Sequence, residues 1–314
     1  MSLEVIDVDG LVTIQDSGRI GWRPFGVPTS GPMDMFAFQA TNTLVGNSSD
    51  CAAIEIGLGG VNLRALRDCV IAVAGAGYKL SVYIWDFSLW SSFFVRAGWK
   101  ISLTNTDHGM WAYLAISGGV QTQSVLGSCS TYLRGGFGRF DGRQLQAGDM
   151  IKAENFSHLY SELAARRLPI EARPSYSPHA SIGVILGPQT NYFTAESIET
   201  FLSGEYSVTL NSDRMGYRLE GPALKHQNRT ELISEGMIAG AIQVPSNRQP
   251  IVMMADSPTT GGYPKIGTVT SADLPLLAQC VPGKSRIRFH ETTVAEAQMK
   301  YRALMSGLNR IIEE

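Results

Sequence analysis

Few cysteines, few histidines and no long apolar run characterise this 314-residue chain, and each shortage closes a class of function. The four cysteines, Cys51, Cys69, Cys129 and Cys280, lie far apart with no CxxC pair, so neither a disulfide framework nor a zinc site is signalled. A reducing cytoplasm fits that usage best. The five histidines, His108, His158, His179, His226 and His290, are scattered without an HExxH pattern, and no metal ligands are assigned. No Walker-type GxxxxGK loop occurs, so nothing here cradles a nucleotide, and no GxSxG elbow points to a serine hydrolase. No stretch reaches the roughly 18 apolar residues of a membrane span. The opening MSLEVIDVDG lacks the basic start and apolar centre of an export signal. Charge of one sign is missing too: 26 basic against 28 acidic residues give a net charge of −2, which leaves no broad basic face for nucleic acid or an anionic membrane. A small substrate is expected.

What is present is a well-buried composition, 44% hydrophobic and 17% charged, in a chain long enough for two domains. Short strand-like runs with glycine at almost every turn follow one another over residues 4–8, 11–15, 52–56, 61–65, 69–74, 80–85, 93–95, 101–104 and 111–116, the first two joined by an expected hairpin turn at Asp9-Gly10. That spacing predicts an antiparallel barrel or sandwich, and the lack of strand–helix alternation disfavours a dinucleotide-binding fold. One helix is expected near 33–45, with Ser30 as its cap and Pro32 in its first turn, and another over 191–202. A third, over 293–308, has Val294, Ala297, Tyr301, Leu304 and Leu308 at helical spacing and should pack on the surface. Residues 163–178 carry three prolines amid charge and read as an interdomain linker.

The stretch 236–277 concentrates the candidate chemistry. Its apolar run 251–255 should be a buried strand delivering Asp256 to a strand mouth. The Gly/Thr/Pro-rich loop beyond offers backbone N–H groups at Gly261 and Gly262, the hydroxyl of Tyr263 and the ammonium of Lys265. The same pattern recurs near the start. Asp16, Ser17, Gly21, Pro24 and Gln39 fall opposite Asp256, Ser257, Gly261, Pro264 and Gln279, and after a one-residue slip Gly26, Thr29 and Ser30 meet Gly267, Thr270 and Ser271. Either the halves are permuted relatives or the N-terminal strands cross over to complete the C-terminal barrel. Both versions bring the two loops toward one shared cleft. Position 25 is Phe where 265 is Lys, so the second loop is expected to do chemistry and the first to shape the pocket.

The segments GAIQVP, DSPTTGGYPKIGTV, SADLPLLAQ and SDRMGYRLEGP resemble the C subunit of prokaryotic 5-oxoprolinase, a family long labelled allophanate hydrolase subunit 2 and similar to the carboxyltransferase domain of biotin-dependent urea carboxylase. The resemblance runs from Leu11 to Phe289. It implies two cyclophilin-like antiparallel β-barrels with a few peripheral helices, over 1–165 and 178–314. A family motif STYxRGGFGG is matched at 130–139, with Arg139 in place of its last glycine, which puts a role for that backbone in doubt.

The implied activity is ATP-dependent opening of 5-oxoproline to glutamate together with A-type and B-type subunits, with no tightly bound cofactor here and ATP held by a partner. A carboxyltransferase or urea amidolyase component is the second reading; the chain has no Ala-Met-Lys biotin attachment site, so biotin would arrive on a separate carrier. A regulatory module that binds a B-type partner, as in Kip-type antagonists, is the third. All of these chemistries except the last pass through an oxyanion and need donors fixed in advance. Lys265, Asp256 and Arg134 are the catalytic candidates: Lys265 for negative charge, Asp256 as a base or amide grip, Arg134 as a two-pronged carboxylate clamp. Tyr263, Gly261, Gly262, Gln243, Gly135, Gly136, Ser30 and Asp34 are the candidates for holding substrate. Capping and surface pairing account for several of them equally well.

Overall fold

The computed structural model describes every residue except Asp107, Asn155, Phe156, Pro188, 228–230 and Glu314, together with the side chains of Ser157 and Glu313. The chain forms two units. The first comprises Met1–Ile20, Ser30–Pro174 and Leu304–Glu314, and the second Gly21–Thr29 and Ser175–Ala303. The fold is mainly β, with an open half-barrel sheet in one unit and a closed barrel in the other.

The first unit is built on an 11-stranded sheet whose central strands, Cys69–Gly75 and Trp111–Ile116, are buried along their whole length. Such strands carry continuous apolar runs because both faces are covered, here with helix Met35–Leu44 packed on one of them. Two expected strand pairs turn out to be single long strands. Leu3–Gln15 and Ala53–Ala65 run antiparallel, and the sheet kinks through bulges between Val5 and Asp7 and between Asp9 and Leu11. Asp9-Gly10 is therefore a bulge and not a hairpin. Gly10 sits at φ +144°, where an added Cβ would meet the Leu58 carbonyl oxygen at 2.5 Å, so only glycine lets the two strands pass.

The predicted linker is largely built into this unit. Arg166–Arg167 pairs with Ser91 and with Ile312–Glu313, and Leu168 is fully buried. Three prolines and mixed charge thus marked a pinned edge segment, and the division between units falls after Pro174.

In the second unit seven strands close a barrel in the order His179–Leu186, Lys265–Val269, Ala241–Gln243, Ile251–Met253, Gly216–Glu220, Glu205–Val208 and Arg286–Glu291. Six junctions are antiparallel, and His179–Leu186 meets Arg286–Glu291 in parallel. An odd number of alternating strands cannot close without one parallel junction, so this departs from a purely antiparallel barrel by necessity. Helix Ala195–Ser203, capped by Thr194 through a 3.2 Å bond from the Ser197 N–H, packs Phe201 on Phe289 with ring centroids 4.6 Å apart.

The C-terminal helix, Val294–Ser306, has no buried residue, contrary to the packed stripe expected. A capping box between Thr293 and Glu296 starts it. Lys300 ties it to the buried carboxylate of Asp273 at 2.5 Å. Leu308, counted in the stripe, is buried beyond the helix end in the turn Gly307–Arg310 of the first unit. No helix among the described residues is long and apolar enough to cross a membrane.

Candidate functional site

In the second unit the sequence motif folds into a compact polar cluster around Lys265. Strand Ala241–Gln243 pairs with Lys265–Val269 through a bulge, so that Lys265, and not Ile266, stands opposite Gln243. A bulge of this kind re-aims a side chain at the edge of a barrel. The Lys265 side chain is 14% exposed and its Nζ lies 3.0 Å from Glu235 Oε2. Glu235 also accepts from Gln189 Nε2 at 2.8 Å, while Gln189 Oε1 accepts the Lys265 backbone N–H at 2.8 Å. Gln243, buried, donates Nε2 to the Tyr263 carbonyl oxygen at 3.2 Å. Tyr263 itself is 37% exposed. The result is one ammonium held at rest by one carboxylate, with two amides bonded to that carboxylate and to the backbone of the loop.

The glycines of this loop serve geometry first. Thr260 and Gly261 pair with Glu235–Gly236 in a two-residue ladder, which places Gly261 opposite Glu235. A Cβ at Gly261 would come 2.5 Å from Gln243 Nε2, so the glycine lets that amide approach. The Gly262 carbonyl oxygen accepts the Leu232 N–H at 2.7 Å.

Asp256 is delivered just beyond strand Ile251–Met253, as expected, but into a buried ion pair. Arg214 Nε and Nη2 meet its two carboxylate oxygens at 2.9 and 3.2 Å, and the Asp256 N–H donates to the Arg214 carbonyl oxygen at 2.8 Å. The two side chains are 5% and 6% exposed. This bidentate grip fixes the start of the loop. Arg214, from the SDRMGYRLEGP stretch, is thus a structural partner of the loop.

What joins the second unit from the start of the chain is the segment Gly21–Thr29. The N-terminal strand does not go with it, since Leu3–Gln15 pairs within the first unit. The anchor is Arg23, whose guanidinium donates to the carbonyl oxygens of Met237 and Pro258, the latter at 3.1 Å. Burial lowers the pKa of that guanidinium.

In the first unit, Arg134, Gly135 and Gly136 form a hairpin turn, with Arg134 exposed. Tyr132 and Phe137 bridge its ends, their rings 5.3 Å apart. The N–H of Gly136, a candidate for holding substrate, is consumed within the turn, donating to the Tyr132 carbonyl oxygen at 3.0 Å. Arg139 lies outside the positive-φ residues of the chain, so the position does not demand the family's glycine. Its guanidinium sits 4.3 Å over the Phe140 ring.

Asp34, and not Ser30, caps helix Met35–Leu44: its Oδ1 accepts the Ala37 N–H at 3.0 Å. The helix starts later than expected because Pro32 and Met33 belong to the loop; the Met33 N–H is taken by buried Glu55 at 2.8 Å. Ser30 is buried at φ +56°, its Oγ without a hydrogen-bond partner among the described residues. The Tyr113 hydroxyl links the group, donating to Glu55 at 2.8 Å and accepting from the Asp34 N–H at 2.8 Å; burial raises its pKa.

Sequence reasoning missed Glu235, Gln189 and Arg23. Glu235 lies 30 residues from its lysine on a strand of two residues, too short to leave a periodic signal. All four cysteines are unbridged, and burial pushes Cys69 and Cys280 up to about 12 and Cys129 to about 11, away from the thiolate form. Among the described residues no three His, Cys, Asp or Glu side chains are grouped as a metal ion would need.

Comparison with known proteins bears on this arrangement. The model of a family described as carboxyltransferase domain, subdomain A and B, matches residues 25–291. The 5-oxoprolinase C subunit of Haemophilus influenzae is 37% identical over 99% of both chains, and that of Escherichia coli 36% identical over 94% of this chain and 93% of the relative. The urea amidolyase of Lachancea kluyveri is 32% identical over 90% of this chain, which spans only 16% of that protein. Among solved structures, the K. lactis urea amidolyase matches 100% of this chain with a TM-score of 0.90 at 28% identity, the match covering 21% of that structure's chain.

Proposed function

Since the chain belongs to the carboxyltransferase domain family, subdomains A and B, we propose that it is the C component of an ATP-dependent 5-oxoprolinase that opens 5-oxoproline to L-glutamate with A-type and B-type subunits. The observation that carries this reading is the end-to-end match to two 5-oxoprolinase C subunits, each covered over 93% or more of its length. ATP is assigned to a partner protein.

Opening the lactam adds a nucleophile to its carbonyl carbon, so the oxygen gains negative charge before the C–N bond breaks and the nitrogen leaves with a proton. Lys265 is the group suited to that charge. It is shielded enough for its field to act strongly, and Glu235, half exposed, holds it in place until a substrate oxygen competes for the ammonium. Gln243 and Gln189 present amides that fix the neighbouring backbone and orient a cyclic amide. Asp256 acts by anchoring the loop through Arg214. Coexpression with candidate A and B subunits and an assay of ATP-dependent glutamate release tests the reading; a well-folded complex without activity would overturn it.

The family description and the likeness to urea amidolyase favour one second reading, carboxyl transfer from biotin on a separate carrier. The same lysine would then face an enolised ureido oxygen. Transfer of carboxylate from a biotinylated carrier protein to an amide distinguishes the two.

A further inference from the structure

The half-barrel of the first unit leaves a groove along its open side. Among the described residues strand Trp85–Phe87 ends the sheet at one edge, pairing only with Tyr78–Val82, while Ser91–Val95 lies near the other edge beside Arg166–Arg167. Between them lies a cavity of about 640 Å³, lined by Phe87, Ser88, Leu89, Phe93, Arg167 and Arg173, with Asp86 also in its wall. Phe87 and Phe93 stack 4.6 Å apart and give it an aromatic wall.

Two cations face this space. Arg173 is half-buried: its Nε donates to the Leu168 carbonyl oxygen at 2.8 Å and its guanidinium lies 5.9 Å from the centre of the Trp90 ring. These contacts fix the plane of the guanidinium while its Nη groups make no hydrogen bond among the described residues. Burial, with the nearby Arg167 charge second, lowers its pKa, against the opposing pull of Glu171. Asp86, the acid in the lining, is already held by Lys79 at 2.9 Å and by the Ser81 hydroxyl at 2.6 Å. A volume in the range of small-molecule sites, an aromatic wall and a pre-oriented guanidinium describe a pocket for one chemical class.

We propose that this groove binds a small organic carboxylate with an aromatic or apolar body, its carboxylate on Arg173 and its body against Phe87 and Phe93. The site lies wholly in the first unit and is separate from the Lys265 cluster, so it does not rest on the proposed activity.

Phenylacetate is the probe, titrated into the full chain by calorimetry and ligand-observed NMR, with phenylacetamide and inorganic phosphate as controls. Saturable binding of phenylacetate alone is expected. Arg173→Gln should weaken it about tenfold or more, the loss expected for a charge-assisted hydrogen bond. Ser88→Trp, at an exposed rim position, should block it without touching the core and guards against misfolding of the arginine variant. The proposal is overturned if phenylacetate fails to bind at millimolar concentration, if the amide or phosphate binds as well, or if folded Arg173→Gln and Ser88→Trp both retain wild-type affinity.

Discussion

The two Asp-Ser loops start from the same short motif and satisfy their aspartates in opposite ways. Asp16 is held by dipoles: its carboxylate accepts from Ser128 Oγ at 2.5 Å, Ser130 Oγ at 2.7 Å, the Gly18 N–H at 2.9 Å and the Cys129 N–H. Asp256 is held by a cation, Arg214, with both partners buried. The continuations diverge as well. After Asp256 the chain returns as strand Lys265–Val269 of its own barrel and brings Lys265 to Glu235. After Asp16 the corresponding segment, Gly21–Thr29, leaves the first unit altogether and is pinned in the second by Arg23. A shared motif thus sets where a loop begins, and the partners it meets set what the loop is for.

Removing one half of the buried pair should have the largest effect. Asp256→Ala deprives the buried Arg214 charge of its bidentate carboxylate and is expected to cost about 3–5 kcal/mol of stability, read from urea denaturation. The double change Arg214→Met with Asp256→Leu should recover most of it, and a failure to recover would show that the pair does more than anchor the loop.

Next comes the contrast between positions 265 and 25. Lys265→Ala should lower the activity of the reconstituted complex by about 10²–10³-fold if its charge faces the developing oxyanion. Its stability should change by no more than about 1 kcal/mol, as for a pair that is open on the Glu235 side. Phe25→Ala, at a residue 75% exposed, should leave both unchanged. Equal losses at the two positions would erase the distinction between a chemical loop and a shaping loop.

The aligned glycines sharpen it further. Gly261→Ala pushes on the Gln243 amide and should raise KM for substrate, whereas Gly21→Ala meets open space but a backbone at φ +91°. The second should therefore cost about 1–2 kcal/mol of stability with KM unchanged.

The smallest effect is a pH dependence. Burial pushes the Asp16 carboxyl up, but the hydrogen bonds from Ser128, Cys129, Ser130 and Gly18 together outweigh it and hold the group below the ordinary value. A depressed folded pKa contributes stability above the unfolded value, about 3.9, which is lost as pH falls through the folded value. Denaturation midpoints measured from pH 7 to pH 3 should therefore fall less steeply below pH 4 in Asp16→Asn than in the native chain.

Much of the β architecture was legible because short apolar runs between glycines have few alternatives, and strand Trp111–Ile116 lies where its pattern placed it. Other expectations failed for identifiable reasons. The bulged strand Leu3–Gln15 looked like a hairpin because Asp-Gly is a hairpin turn unless a neighbouring strand, here with Gly57, Gly59 and Gly60, passes close by. The helical spacing of 294–308 was real for Val294–Ser306, yet spacing does not say how closely the stripe packs: Val294, Ala297 and Tyr301 line a cavity with Ile185 and Val269, and none of the three is buried. Ser30 was the expected cap, and Asp34 takes that place because the loop runs on through Pro32 and Met33 before the helix begins.

The site follows the same division. That residues 256–265 carry an acid, a run of glycines and a lysine, and that the motif occurs twice, was written in the residues themselves, because local chemistry and spacing are one-dimensional properties. That Asp256 is paired by Arg214, that Lys265 rests on Glu235 and Gln189, and that a seven-strand barrel closes through a single parallel junction were decided only in three dimensions. Counter-charges and strand neighbours come from segments tens of residues away, and strand register determines which of them meet.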